Sequence, residues 1–449
     1  MKNNANRPAL LLLVASIVLV CLRFVPSFTI FGYEVKSVDL LSDLLTTESS
    51  GSGVGDLGLM DEEQKVKEFK CPEGVVCIED YGQGKPSGMS SFYKALDQRD
   101  SLGRPVRIAY FGDSFVEGDI LTADLRELLQ KEYGGCGVGY LAIAPEAPGF
   151  RKSVAQSFAG WEMYQAIDKE GFVAAKQGIT QSYAFPRGYS YTDVVAADRY
   201  SCASRFETST FYLVSNYPVN LNVNKNNGEQ EVVKSQGTGK VEAVSVQGEM
   251  KHVRWGMSGG NGVLCHGVAV EGKTGIVLDN FAMRSTSGVH LLSLDADYLK
   301  ALNAVRPYDL IILHYGLNVA GKNTTNYDGF VGQISQVVRK FKECFPNTSI
   351  LITSVGDRES KVQGELHTMP GVLALIQYQQ KLAADNEVAF WNFYEGMGGD
   401  GSIVKLAEKK PAEARKDYTH ITHEGGRTLA EPYFKAIVAG YEQYQIMEK

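Results

Sequence analysis

The sequence lacks any basic patch. Its 45 lysines and arginines are outnumbered by 52 acidic residues, for a formal net charge of -7. A nucleic-acid binder needs clustered cations to meet phosphates, so nucleic acid is excluded as a partner. No cysteine and histidine spacing has the form of a zinc site, and no metal is expected. No internal repeat is visible, which argues against a stacked-repeat architecture. Long apolar runs are scarce as well. One occurs at residues 9–22, broken only by Ser16 and preceded by Lys2 and Arg7. It is shorter than the ~20 residues that cross a bilayer comfortably, and so has the length of a signal-peptide core. Yet no small-x-small cleavage site follows, and Val20 before Cys21 does not suit a lipoprotein signal. If Arg23 snorkels, the span extends to about Phe31 and acts as an uncleaved anchor. A membrane anchor within residues 1–33 is the expectation and a cleaved signal the alternative; either exports the rest of the chain.

What is present is ordinary globular material, 44% hydrophobic and 22% charged, enough for real cores over 449 residues. That length suits two domains plus an appendage. Outside the apolar run six cysteines remain, a number that permits disulfides in an oxidising compartment. Cys71 and Cys77 flank a short turn and are the best pair, Cys202 with Cys265 the second; buried reduced thiols are the alternative for each.

Residues 46–56 (TTESSGSGVGD) form a flexible spacer, and 34–100 as a whole is expected to be linker and tether. From residue 107 strands and helices alternate: a strand at 107–111, a helical period at 119–133, then strands at 310–314, 349–355 and 387–393 with helices at 330–344, 373–385 and 422–445. Such alternation implies a parallel sheet wrapped on both faces, a flavodoxin-like three-layer α/β/α domain. Between 146 and 279 the pattern becomes short β-branched or aromatic runs separated by Gly/Asn turns, down to a run at 275–278. This predicts an antiparallel β-sandwich inserted between domain parts 101–145 and 280–449.

Gly112-Asp113-Ser114 sits where the first strand hands over to a helix. Open α/β sheets bind ligands beyond the carboxyl ends of their strands, and a hydroxyl at a helix N-terminus meets oriented N–H groups. A serine needs a base, and the base an orienting acid. Asp417-Tyr418-Thr419-His420 offers both, just before the last helix.

These blocks carry a resemblance. GDSFVEGD (112–119) resembles the first block of SGNH/GDSL hydrolases, Tyr315-Gly316-Leu317-Asn318 their Gly-x-Asn block, and Asp417 to His420 their terminal Asp-x-x-His; Gly288 in RSTSGVH is the candidate for the remaining glycine block. The resemblance covers residues 107–145 and 278–441. Together with the β insert at this position, it is nearest to bacterial peptidoglycan O-acetylesterases, whose insert is carbohydrate-module-like. It implies Ser114 as nucleophile, His420 as general base and Asp417 as its orienter. The oxyanion would be held by the backbone N–H groups of Ser114 and Gly288 and the Asn318 side chain. Many relatives carry an acidic residue after the third-block Asn, and this chain has Val319. The implied reaction is removal of an O-acetyl group from an envelope polysaccharide, with no cofactor, in the bacterial periplasm or cell envelope. Two alternatives keep the same residues: an O-acetyltransferase partnered with a membrane acyltransferase, and a non-enzymatic glycan-binding protein.

Several residues compete for attention. Gly256-Met257-Ser258-Gly259-Gly260 fits a G-x-S-x-G elbow, but a strand precedes it and a turn and another strand follow, so it is expected to be a hairpin loop. His423 is the rival base and has no acid three residues before it. His314 and His290 are expected to be structural. In the insert Trp161, Tyr164, Tyr183, Phe185, Tyr189, Tyr191 and Trp255 could stack on sugars, and core packing is the expectation for each.

Overall fold

Five short strands that are apolar at nearly every position form a parallel sheet: Val106–Gly112, Ile276–Asn280, Leu310–His314, Ser349–Thr353 and Ala389–Trp391. Runs of this kind suit a sheet covered on both faces. Their spatial order is second, first, third, fourth, fifth, and Glu79–Asp80 adds antiparallel at the far edge. Strand residues alternate between two cores. Ile108, Tyr110 and Ile312 face helices Ser90–Asp97, Thr122–Tyr133 and His423–Met447. Phe111, Ile311 and Leu313 face Ala296–Val305, Asp328–Cys344 and Pro370–Asp385. Each fully buried aliphatic side chain contributes about 1.5–3 kcal/mol. The result is the three-layer α/β/α arrangement with flavodoxin-like strand order.

This computed structural model describes residues 71–447 other than 169 and 261, and two N-terminal strands, Phe28–Ile30 and Tyr33–Val35, paired antiparallel. The expected anchor otherwise lies outside the described residues, as does the spacer at 46–56. Among the described residues no helix is long and apolar enough to cross a membrane.

The insert is a nine-stranded antiparallel sheet running from Gly139–Ala142 to Leu264–Glu271. The 15-residue strand Ser182–Ala196 pairs along its length with Val154–Gln165 and His252–Ser258 and, at Ala184, with Cys265. Sharing this strand lets the sheet enclose its own core, in which Trp255, Leu221 and Val253 are fully buried. Trp255 and Tyr183 are thus core residues, whereas Tyr189 is half exposed.

Three boundaries differ from the sequence reading. The run at 275–278 is not part of the insert: as Ile276–Asn280 it pairs in parallel with Val106–Gly112 as the edge strand of that sheet, with Ile276 and Leu278 in one helical core and Val277 and Asp279 against Gly139 of the insert. The insert in turn begins earlier than 146, since Gly139–Ala142 pairs with Leu264–Glu271. The supposed tether also ends sooner than residue 100: Phe92 and Leu96 are fully buried in the main core. A short polar-punctuated segment gave no periodic signal of that docking. Cys71 and Cys77 are bonded, while Cys202 and Cys265 are free thiols. Cys265 is sealed in the insert core and Cys202 lies in a surface turn, so that pair cannot meet.

Candidate active site

The carboxyl ends of the first and third strands lie side by side at the point where strand order reverses, which is where such sheets take ligands. Ser114 follows the first of these strands. Gly112 is required there: a Cβ would lie 2.3 Å from Val116 Cγ2 and 3.1 Å from the His314 carbonyl. Asp113 Oδ1 accepts from Phe115 N at 3.0 Å, and Phe115 and Val116 are buried, so the turn holds the serine up at the rim. The helix after it begins at Thr122 rather than 119, because Gly118 and Asp119 both adopt positive φ. Ser114 therefore lies well ahead of the helix and not at its N-terminus. It stands in a turn whose Val116 N–H returns to the Asp113 carbonyl at 3.3 Å.

Asp417 and His420 are placed by their own spacing. Asp417 Oδ1 accepts from the N–H groups of Thr419 and His420, both at 3.0 Å, the side-chain turn that aspartate favours. That turn brings Oδ2 to within 2.9 Å of His420 Nδ1. Pairing of Ala414 with Ile421 closes the loop. His420 Nε2 then lies 3.1 Å from Ser114 Oγ, across 306 residues of chain. Partial burial pushes the Asp417 carboxyl up, but the N–H groups and ring of His420, with the Thr419 N–H, outweigh it and hold it below its ordinary value. The His420 and Asp417 side chains are 33% and 45% exposed, so the pair is open to a substrate.

Gly288 heads the turn Val289–Ser293 with φ +86°, and a Cβ there would meet the Tyr315 ring at 2.7 Å. Both the angle and the close approach demand glycine. Asn318 is exposed after the third strand, and its Nδ2 donates to the Thr286 carbonyl at 2.8 Å, tying its loop to that of Gly288. An amide nitrogen carries two hydrogens, so one remains for a ligand. Met283 N donates to the Gly112 carbonyl at 3.0 Å, joining the same loop to the turn that carries Ser114.

The other histidines lie elsewhere. His314 is buried against Phe115 and Phe393, with Nδ1 2.8 Å from the Tyr110 hydroxyl, and burial pushes its pKa down to about 3. His290 packs on Tyr315 and is likewise pushed down, to about 4, by burial. His423 begins the last helix beside Phe150 and pairs with no acid among the described residues. Ser258 ends the strand His252–Ser258 at the hairpin leading to Leu264–Glu271. Among the described residues no cluster of acids, histidines and cysteines could hold a metal ion.

Sequence reasoning missed the scaffold around the serine. Asn280 bonds the Val116 carbonyl and Thr122, and Arg284 pairs with Glu117 at 2.8 Å. These contacts span more than 150 residues of chain, and no local pattern announces them.

The sheet order and these contacts together define a flavodoxin-like α/β/α protein carrying a serine, a histidine and an aspartate in hydrogen-bonded series. No protein-family model and no curated protein matches the sequence. Among solved structures, a peptidoglycan O-acetylesterase matches with a TM-score of 0.63 at 20% identity, over 83% of this chain and 99% of that one. That extent takes in the insert as well as the parallel sheet, and the fold is shared. A family two carbohydrate esterase from Cellvibrio japonicus matches with a TM-score of 0.26 at 10% identity, over 65% of this chain and 99% of that one. An acetyl xylan esterase scores 0.28 at 17% identity, over 36% of this chain and 81% of that one. Scores this low leave the assignment of the fold to the first match.

Proposed function

We propose that this chain is a serine esterase that removes O-acetyl groups from an envelope glycan, peptidoglycan, through an acetyl-Ser114 intermediate. One observation carries the reading: Ser114 Oγ, His420 and Asp417 stand in hydrogen-bonded series at the ligand edge of the sheet. The choice of peptidoglycan leans on the O-acetylesterase that shares the fold. Export and anchoring to the envelope lean on the apolar run at 9–22 with its flanking cations.

Ser114 Oγ attacks the acetyl carbonyl carbon while its proton passes to His420 Nε2. Asp417 fixes the tautomer by accepting from Nδ1 and steadies the imidazolium. Negative charge on the carbonyl oxygen is met by the N–H groups of Ser114 and Gly288 and by Asn318. The bond to the sugar oxygen then breaks, and that oxygen takes the proton from Nε2. Water, deprotonated by the same nitrogen, attacks the acetyl-serine and releases acetate. The test is acetate release from O-acetylated peptidoglycan by the purified protein and by Ser114→Ala. Comparable release by both would remove Ser114 from the mechanism.

A further inference from the structure

Between the strand Ser349–Thr353 and the helix Pro370–Asp385 the chain makes a hairpin, Glu359–Val362 paired with Glu365–Thr368. Among the described residues it pairs with no other strand, yet its root is pinned. The buried Asp357 carboxyl accepts from the Thr368 and Ser402 hydroxyls and from Ile403 N at 2.7 to 3.2 Å, and Met369 N donates to the Arg358 carbonyl at 2.9 Å. From that root Arg358 Nη1 donates to the Leu317 carbonyl at 3.1 Å and to the Ala320 carbonyl at 3.2 Å, one residue before Asn318 and two after it. The turn between them is otherwise closed on itself, since the Gly316 carbonyl accepts from Val319 N at 3.0 Å and from Ala320 N at 2.8 Å. Leu317 and Ala320 are buried while Asn318 stands exposed between them, so the two carbonyls must find a donor within the protein. A guanidinium ordinarily bonds a carboxylate; half-buried Arg358 bonds none among the described residues. The next residue ties the same root to the histidine loop, because Glu359 N donates to the Tyr418 carbonyl at 3.2 Å, between Asp417 and His420.

We infer that Arg358 is a positioning residue for the ester chemistry: by clamping both sides of the Asn318 turn, it aims the Asn318 amide at the developing oxyanion, in register with His420. This rests on the esterase reading. Arg358 acts only through the turn it holds, since its bonds go to the carbonyls that flank Asn318. Alignment of this kind is sensitive, and a displacement of about 1 Å can cost about 10²-fold in rate.

A double-mutant cycle on the full chain, with para-nitrophenyl acetate as substrate and Ser114→Ala as the blank, tests this. Arg358→Met should lower kcat by about 10–10²-fold and leave KM within about twofold. In an Asn318→Ala background the same substitution should lower kcat by less than about threefold further, because the group it aims is gone. Arg358→Lys, whose ammonium carries a hydrogen for each carbonyl, should restore kcat to within about threefold of wild type. Arg358→Gln replaces Arg358→Met in the cycle if the latter does not fold. A general loosening of the fold would instead lower kcat by the same factor in both backgrounds. That result, or a wild-type kcat in Arg358→Met, would overturn the positioning role alone. A wild type that leaves the ester intact, or cleaves it no faster than Ser114→Ala, would take down the esterase reading and this inference with it.

Discussion

Two clusters of charge, the rim and the seam, do opposite work in this molecule. At the rim, Asp417 and His420 are a third to nearly a half exposed and stand on a loop. At the seam where the insert meets the parallel sheet, Arg306 and Asp279 are fully buried. Arg306 bonds Asp279 at 2.8 Å and Glu271 at 2.9 Å, and Arg107 bonds Glu271 at 2.6 Å. Burial pushes Glu271 up, but the two guanidinium groups outweigh it and hold it at about 2. The rings of Tyr140, Tyr212 and Tyr308 surround Arg306 at 5.6–5.8 Å. Two cations face two anions, so the seam is neutral. The rim keeps few partners and water access, which the proposed role of its imidazole requires. Placement, not residue type, separates a group that reacts from one that holds.

The largest effect should fall at the rim. Ser114→Ala should lower kcat for acetate release by about 10⁴-fold or more, as for other triad nucleophiles. Stability should move by less than about 0.5 kcal/mol, since the serine is partly exposed and, among the described residues, its hydroxyl pairs only with His420. Asp417, held below its ordinary value, stays ionised at mildly acid pH.

The seam should answer in the opposite currency. Arg306→Met strands Asp279 and part of Glu271 as unpaired buried carboxylates and should cost about 3–5 kcal/mol of stability, read by urea unfolding. Lysine is no remedy, because one ammonium cannot replace a fork that bonds two carboxylates and two tyrosine hydroxyls. At temperatures where the variant remains folded, kcat should fall far less than for Ser114→Ala. A variant that keeps its stability would deny the seam its holding role.

The rim was legible in the sequence and the seam was not. Asp417 and His420 meet through a turn four residues long, so spacing alone carried their contact. Ser114 announced itself because glycine, aspartate and serine follow a run as apolar as 107–111. Strand–helix alternation likewise fixed the central sheet, since buried parallel strands and amphipathic helices each leave a period. The seam joins Arg107, Glu271, Asp279 and Arg306, four charged residues on separate segments whose neighbours look like any strand end. The edge strand at 276–280 was assigned to the wrong sheet for a related reason. A five-residue strand that opens on Ile-Val-Leu reads alike in parallel and antiparallel partners, and only its pairing with Val106–Gly112 tells them apart.

A smaller effect belongs to Asn318, which shares the rim's exposure. Asn318→Ala removes one donor to the developing oxyanion and should lower kcat by about 10²–10³-fold with little change in KM. It also cuts the link to Thr286, as does Asn318→Asp, which keeps the size and loses the donors. If both retain wild-type kcat, the oxyanion is met elsewhere.

Asp113 combines the two regions: it neighbours Ser114 but is buried like the seam, with no cation hydrogen-bonded to it among the described residues. Burial pushes its carboxyl up to about 6, against the N–H groups of Phe115, Leu317 and Gly316, which favour the charge. Its Oδ2 nonetheless makes no hydrogen bond of good geometry. A carboxyl raised in this way binds its proton more tightly folded than unfolded. Its contribution to stability is therefore fully present below about pH 4 and is lost as pH rises through about 6. The loss amounts to something on the order of 2 kcal/mol by neutral pH. Asp113→Asn keeps the acceptor for Phe115 N and cannot ionise, so the difference in unfolding free energy between wild type and variant should drift by that amount between pH 4 and 7. Other raised carboxyls, such as Asp357, titrate in both proteins and cancel in the difference. A constant difference across the range would mean that Asp113 is charged throughout, and that the turn beneath Ser114 is better solvated than its burial implies.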